Sequence, residues 1–150
     1  MGGEPWFYFV PYQPDVTKVL ADLRKREFEA GRYNPAEWFP SFPPDPDAPV
    51  LGAKHRSIEE AIKAAGADGT RSILDMHRVG TDSDDIDYGV VTLLSVEFLQ
   101  ERFGTPHPTR AMIEDGMDFM EDIDRGQGVY TVVYRDGQPA EIFFAGYSYD

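Results

Sequence analysis

"GVYTVVYRDGQPAEIFFAGYSY", residues 128–149, holds two apolar, β-prone runs on either side of Asp136 and Gly137. An Asp-Gly pair suits a two-residue turn in which both residues take positive φ, and runs of Val, Tyr, Phe and Ile suit the pleated strands that such a turn joins. The stretch predicts a β-hairpin, and the other elements are read outward from it.

Two segments upstream read as further strands. "TRSILDMHRV" (70–79) alternates and is rich in β-branched residues, and "YGVVTLLS" (88–95) follows it. Between them "TDSDDIDYG" (81–89) places Asp82, Asp84, Asp85 and Asp87 in a run that reads as a hydrated hairpin connection. Near the start, "WFYFVPY" (6–12) predicts a strand whose end is kept out of a central ladder by Pro11, which has no N–H to donate.

Four helices are expected. The first has Pro14 and Asp15 as start signals, the stripe Val16, Val19, Leu20 and Leu23, and Gly31 as its stop. A capping box of Ser57 and Glu60 opens "SIEEAIKAAGADG" (57–69), and Ser95 caps "VEFLQERF" (96–103) ahead of Gly104. Thr109 caps "RAMIEDGMDFMEDIDR" (110–125), read as one longer helix. Its apolar stripe includes Met112, Met117 and Met120, core filler rather than a binding groove, and its other face carries Glu114, Asp115, Asp118, Glu121 and Asp122.

Residues 34–56 contain six prolines, at 35, 40, 43, 44, 46 and 49, which forbid both helix and ladder. They predict an extended loop, with Trp38, Phe39 and Phe42 either lashing it to the body or forming a partner-contacting arm. The order is therefore β-α-loop-α-β-β-α-α-β-β. It describes a single α+β domain over 1–150, with a mainly antiparallel sheet of about five strands and about four helices packed on it.

Composition limits the chemistry. With 41% apolar residues and 13% aromatics, a chain of 150 residues can bury a core of its own. The absence of cysteine excludes disulfides, thiolate zinc sites, iron–sulfur clusters and cysteine nucleophiles. "MGGEPWFYFV" lacks the basic region and the apolar length of a signal peptide, and no run approaches a membrane span, so a soluble, cytoplasmic protein is expected.

Charge is the most informative bulk property. The chain has 27 acids against 14 Lys plus Arg, for a net charge of -13. Residues 1–75 hold 12 acids and 9 bases, and residues 76–150 hold 15 acids and 5 bases, so most of the excess lies in the second half. Such a field repels nucleic acid and anionic membranes and draws in basic protein surfaces.

The stretches "GTRSILD" (69–75), "GTPHPTR" (104–110) and "GQPAEIFFAGYSYD" (137–150) resemble uncharacterised small acidic bacterial proteins. That resemblance implies a single-domain bacterial protein, and it carries no activity and no functional residues.

Motifs for catalysis are sparse. A calcium loop starting at Asp82 would need an oxygen donor at its fifth position and Gly at its sixth, where the chain has Ile86 and Asp87. There is no nucleophile elbow and no P-loop, and His55, His77 and His107 are far apart. On a strand over 71–79, Arg71, Ile73, Asp75, His77 and Val79 would share one side. Asp75 could then orient a His77 imidazole for acid–base work with Arg71 nearby, or the pair could be a structural hydrogen bond.

No metal or cofactor is expected, and the sequence specifies no oligomeric state. The leading expectation is a small acidic module that binds a basic protein, in the manner of an immunity protein or antitoxin. Its contacts would be Asp82, Asp84, Asp85, Asp87, Glu114 and Asp118, with Trp38 or Phe42 as an apolar anchor. The alternative is a small-molecule-binding protein or enzyme with a pocket near Asp75 and His77 under the proline-rich loop.

Overall fold

The computed structural model describes residues 3–36 and 52–150. Five strands form one mixed sheet: β1 (Pro5–Pro11), β2 (Arg78–Val79), β3 (Val90–Leu93), β4 (Gly128–Arg135) and β5 (Gln138–Tyr147), in the order β1-β5-β4-β3-β2. The longer pairings, β1 with β5 and β5 with β4, are antiparallel, and the short ones, β4 with β3 and β3 with β2, are parallel. The fold is thus α+β with a mostly antiparallel sheet, as the element pattern predicts.

The β4–β5 hairpin turns through Asp136 and Gly137 at φ 53° and 77°, the two positive values that an Asp-Gly turn supplies. β1 takes the edge beside β5, where Pro5 and Pro11 cost the sheet no central ladder bond.

Helices α1 (Val16–Ala30), α2 (Ile58–Ala65), α3 (Val96–Phe103) and α4 (Arg110–Asp115) begin at Asp15, Ser57, Ser95 and Thr109. Each of these side chains accepts a hydrogen bond from a backbone N–H in the first turn, a contribution of about 1 kcal/mol per cap. Gly31 and Gly104 end α1 and α3 in the left-handed region.

Both faces of the sheet are covered. On one, Val19, Leu20 and Leu23 of α1 pack with Ile73 and Met76 against Trp6, Tyr8, Val10, Tyr130, Ile142 and Phe144. On the other, Ile113, Phe119 and Met120 pack against Val133, Phe143 and Ala145. Because β5 lies between two cores, Ile142–Gly146 is buried without alternation. Met120 is core as expected, Met117 is half-buried and Met112 is exposed. A third cluster of Tyr33, Ala61 and Leu74 seats α2.

Three local readings need correction. Residues 70–79 are not one strand: Arg71 takes φ 54°, Ser72 Oγ accepts from Leu74 N, and Ile73–Asp75 winds into a 3-10 turn, leaving only Arg78–Val79 paired as a strand. Ile73, Leu74, Asp75 and Met76 are all buried, so the shared face drawn through Arg71, Asp75 and His77 does not exist.

Secondly, the aspartate run does not close a hairpin. β2 and β3 run parallel, with His77 N donating to Gly89 O and Gly80 N to Val91 O. The connection carries the chain back to the end of the sheet at which β2 began, so that Arg78 pairs with Val90 and Val79 with Val91.

Thirdly, the helix predicted over 110–125 divides. α4 stops at Asp115, and Met117–Asp122 continues as a 3-10 helix. At the break, Gly116 O accepts from Arg102 Nη2, and a glycine in a helix interior already costs about 1 kcal/mol relative to alanine.

Candidate functional site

The loop from Gly80 to Gly89 is held together by Asp85. Its Oδ2 accepts from Arg78 Nη1 at 2.6 Å and Thr81 N at 2.8 Å, and its Oδ1 accepts from Arg78 Nη2 at 3.1 Å. Its backbone carbonyl accepts from Thr92 Oγ1 at 2.6 Å, which ties the loop to β3. The hydrogen bonds from Arg78, reinforced by Thr81, hold the Asp85 carboxyl well below the usual carboxylate range.

The other aspartates make smaller commitments. Asp82 Oδ1 accepts from Asp84 N at 2.9 Å and Asp87 Oδ1 from Tyr88 N at 2.7 Å, while all three carboxylates remain exposed. Between them Ile86 and Tyr88 are each 62% exposed. The loop therefore shows solvent three carboxylates and two large apolar side chains on a backbone that is internally fastened.

Beside this loop lies a solvent-open cavity of about 230 Å³. Ile86, Leu93, Leu94, Phe98, Ile123 and Val129 supply its apolar wall, and Ser83 and Asp122 are among its polar residues. Leu94, Phe98, Ile123 and Val129 also pack on the second core, so the cavity floor is the uncovered roof of that core. Sequence reading missed this groove, because its wall comes from four separate segments. The available signal was the apolar pair Leu93 and Leu94 running past the end of a strand toward Val96.

The carboxylates expected on the other acidic face are engaged within the protein. Glu114 accepts from Arg110 Nε at 2.6 Å, and Arg110 also reaches Glu141 at 3.1 Å and lies over the Phe9 ring, 4.3 Å from its centroid. Asp118 is paired with Arg102. Trp38 and Phe42, the expected anchors, and most of the proline-rich loop lie outside the described residues.

Asp75 and His77 do not form a dyad. Asp75 Oδ1 accepts from Thr70 N and Thr70 Oγ1, both at 2.8 Å, and Oδ2 is buried without a hydrogen-bond donor, close to Gly69 and the Tyr149 ring. Burial pushes the Asp75 carboxyl up, against the opposing pull of Thr70, the Arg71 backbone N–H and the Arg24 charge. His77 is exposed, with its ring laid against Gly89. Arg71 Nε and Arg24 Nε are buried without acceptors, and burial pushes Arg24 down.

His55 bonds the Tyr33 hydroxyl at 2.8 Å, and the His107 ring sits 4.4 Å from that of Tyr134. Among the described residues no group of three His, Asp or Glu side chains is arranged to hold a metal ion, and no helix is long and apolar enough to cross a membrane.

No family model, curated protein or solved structure matches this chain.

Proposed function

We propose that this protein is an acidic protein-binding module that docks on a basic partner, in the manner of an immunity protein or antitoxin. The observation that carries the reading is the loop at 81–88. Asp85 fastens its backbone, and Asp82, Asp84 and Asp87 stay exposed around Ile86 and Tyr88. A fastened loop loses little conformational freedom on binding, so charge placed on it steers and selects a partner at low entropic cost. The same field disfavours nucleic acid and anionic membranes.

The test is capture of partners from lysate on the tagged protein, elution by rising salt, and association kinetics with the protein recovered. The Asp82→Asn, Asp84→Asn, Asp87→Asn triple variant is expected to associate more slowly and with a flatter salt dependence. Unchanged kinetics would remove the loop from the contact.

A second reading rests on a different observation, the buried Asp75 Oδ2 without a donor and the buried Arg24 Nε without an acceptor, on two residues whose charges interact. A small polar ligand could satisfy both groups. A thermal-shift screen against polar metabolites tests it: a hit that raises the melting temperature of the wild type but not of Asp75→Asn supports it, and no such hit sets it aside.

A further inference from the structure

We infer that the groove between the 80–89 loop, α3 and the 117–123 segment is the anchor site for that partner. It would take one aliphatic or aromatic side chain from a segment in which that side chain is flanked by Lys or Arg. This inference rests on the basic-partner reading above and adds the place and chemistry of the contact.

Size restricts the occupant first. A volume of about 230 Å³ falls below the roughly 300–1,000 Å³ of sites that enclose a drug-sized ligand, and suits a side chain better than a cofactor. The wall comes next. Leu94, Phe98, Ile123 and Val129 offer an apolar floor continuous with the second core, Leu93 adds an exposed side chain to the wall, and Ile86 and Val96 stand 62% exposed at the site and beside it in sequence. Large apolar side chains gathered in this way mark contact surfaces more often than scattered single ones do.

Charge then selects the flanks. Asp122 lines the groove, Asp82 and Asp84 flank the lining residue Ser83, Asp87 follows Ile86, and Asp124 follows Ile123. No Lys or Arg lines it, and nearby Arg78 is occupied by Asp85. An apolar groove with one carboxylate in its lining, and exposed carboxylates on the adjoining 82–87 loop, is the complement of an apolar side chain among cations. A second copy of this chain, itself carrying a net charge of -13, fits that charge poorly.

The experiment is a titration of the isotope-labelled protein, followed by amide chemical shifts, with three end-blocked synthetic peptides of equal length. One is an amphipathic Leu/Lys peptide, one is oligolysine, and one is the matching Leu/Glu peptide. The Leu/Lys peptide is expected to shift the amides of Leu93, Phe98 and Ile123 as well as those of 82–87, and to bind about tenfold more tightly than oligolysine. Oligolysine should shift only the 82–87 region, and the Leu/Glu peptide should shift neither. Leu93→Gln and Ile86→Gln, both at exposed positions, should each bring the Leu/Lys affinity down toward that of oligolysine.

If the two cationic peptides bind alike and both leave the groove amides unmoved, the anchor site is wrong while the charge reading stands. If neither moves residues 82–87, both fall together. Equal binding of the Leu/Glu peptide, or groove shifts that change on dilution of the protein alone, would overturn the assignment to a basic segment in favour of an uncharged apolar site or a second copy.

Discussion

Asp75 and Asp85 stand on either side of β2 and are displaced in opposite directions, the first raised by burial and the second lowered by hydrogen bonds from Arg78. Their effects on stability therefore have opposite signs. An Asp raised in the folded state is a cost at neutral pH, shed as pH falls through its folded value toward about 3.9. An Asp lowered in the folded state contributes stability that is present above about 3.9 and disappears as pH falls below it.

Asp75→Asn is accordingly expected to raise the melting temperature at pH 7 by a few degrees. The amide oxygen can still accept from Thr70, and the cost of a buried charge is gone. Melts across the acid range should show the advantage shrinking as the wild-type carboxyl takes up its proton. A lower melting temperature for the variant at pH 7 would show that the charge is needed beside Arg24.

Asp85→Asn should act in the other sense. The Thr81 amide, which donates to Asp85 Oδ2, is expected to exchange its hydrogen faster, and the melting temperature should fall at pH 7 but match that of the wild type in strong acid. The Asp82, Asp84, Asp87 triple Asn variant should leave both measurements nearly unchanged, since those carboxylates brace only adjacent backbone. Equal losses from the two variants would show that the fastening is shared along the loop.

Glu27 is fully buried and meets Arg32 Nη2 at 2.6 Å and Arg26 Nε at 3.0 Å. Breaking a buried pair leaves one charge uncompensated, so Glu27→Ala should lower unfolding stability by about 3–5 kcal/mol in denaturant titration. A loss below about 1 kcal/mol would mean that Arg32 escapes to solvent when its partner is removed.

Two glycines separate backbone strain from steric clash. Gly137 has φ 77° with open space around it, so Gly137→Ala should cost only about 1–2 kcal/mol of left-handed backbone strain. Gly146 pairs with Gly128 across the ladder, and the Trp6 indole lies on both; a Cβ at 146 would meet that ring and come within 2.6 Å of Gln127 O. Gly146→Ala should cost about 3 kcal/mol or more, with loss of the Trp6 near-ultraviolet signal. Equal costs at the two positions would show that Trp6 shifts freely.

Where structure depends on neighbouring residues, the sequence is readable. Asp15, Ser57, Ser95 and Thr109 cap the four helices as their side chains predict, and Asp136 with Gly137 turns the hairpin. The departures arise where a distant or backbone contact outweighs local pattern. At 71–76, the positive φ of Arg71 and the cap at Ser72 convert an alternating run into a 3-10 turn. At Gly116, an arginine from α3 takes a carbonyl that a longer helix would have used. Of the candidate site, the exposed acids of 82–87 were legible. The inward turn of Asp85 was not, because it depends on Arg78 lying across a loop whose return path no local pattern specifies.

The pairing of β1 with β5 has a consequence for how the protein is made. Glu4 N donates to Ser148 Oγ and Ser148 N to Glu4 O, closing a pair 144 positions apart, and the register from Pro5 to Pro11 depends on β5 as its partner. During synthesis the aromatic first strand must wait, unpaired, until nearly all of the described sequence has left the ribosome. Trp6, Phe7, Tyr8 and Phe9 are then a sticky ribbon without a mate. The two prolines that bound this ribbon in the finished sheet also discourage it from zipping onto a neighbouring nascent chain.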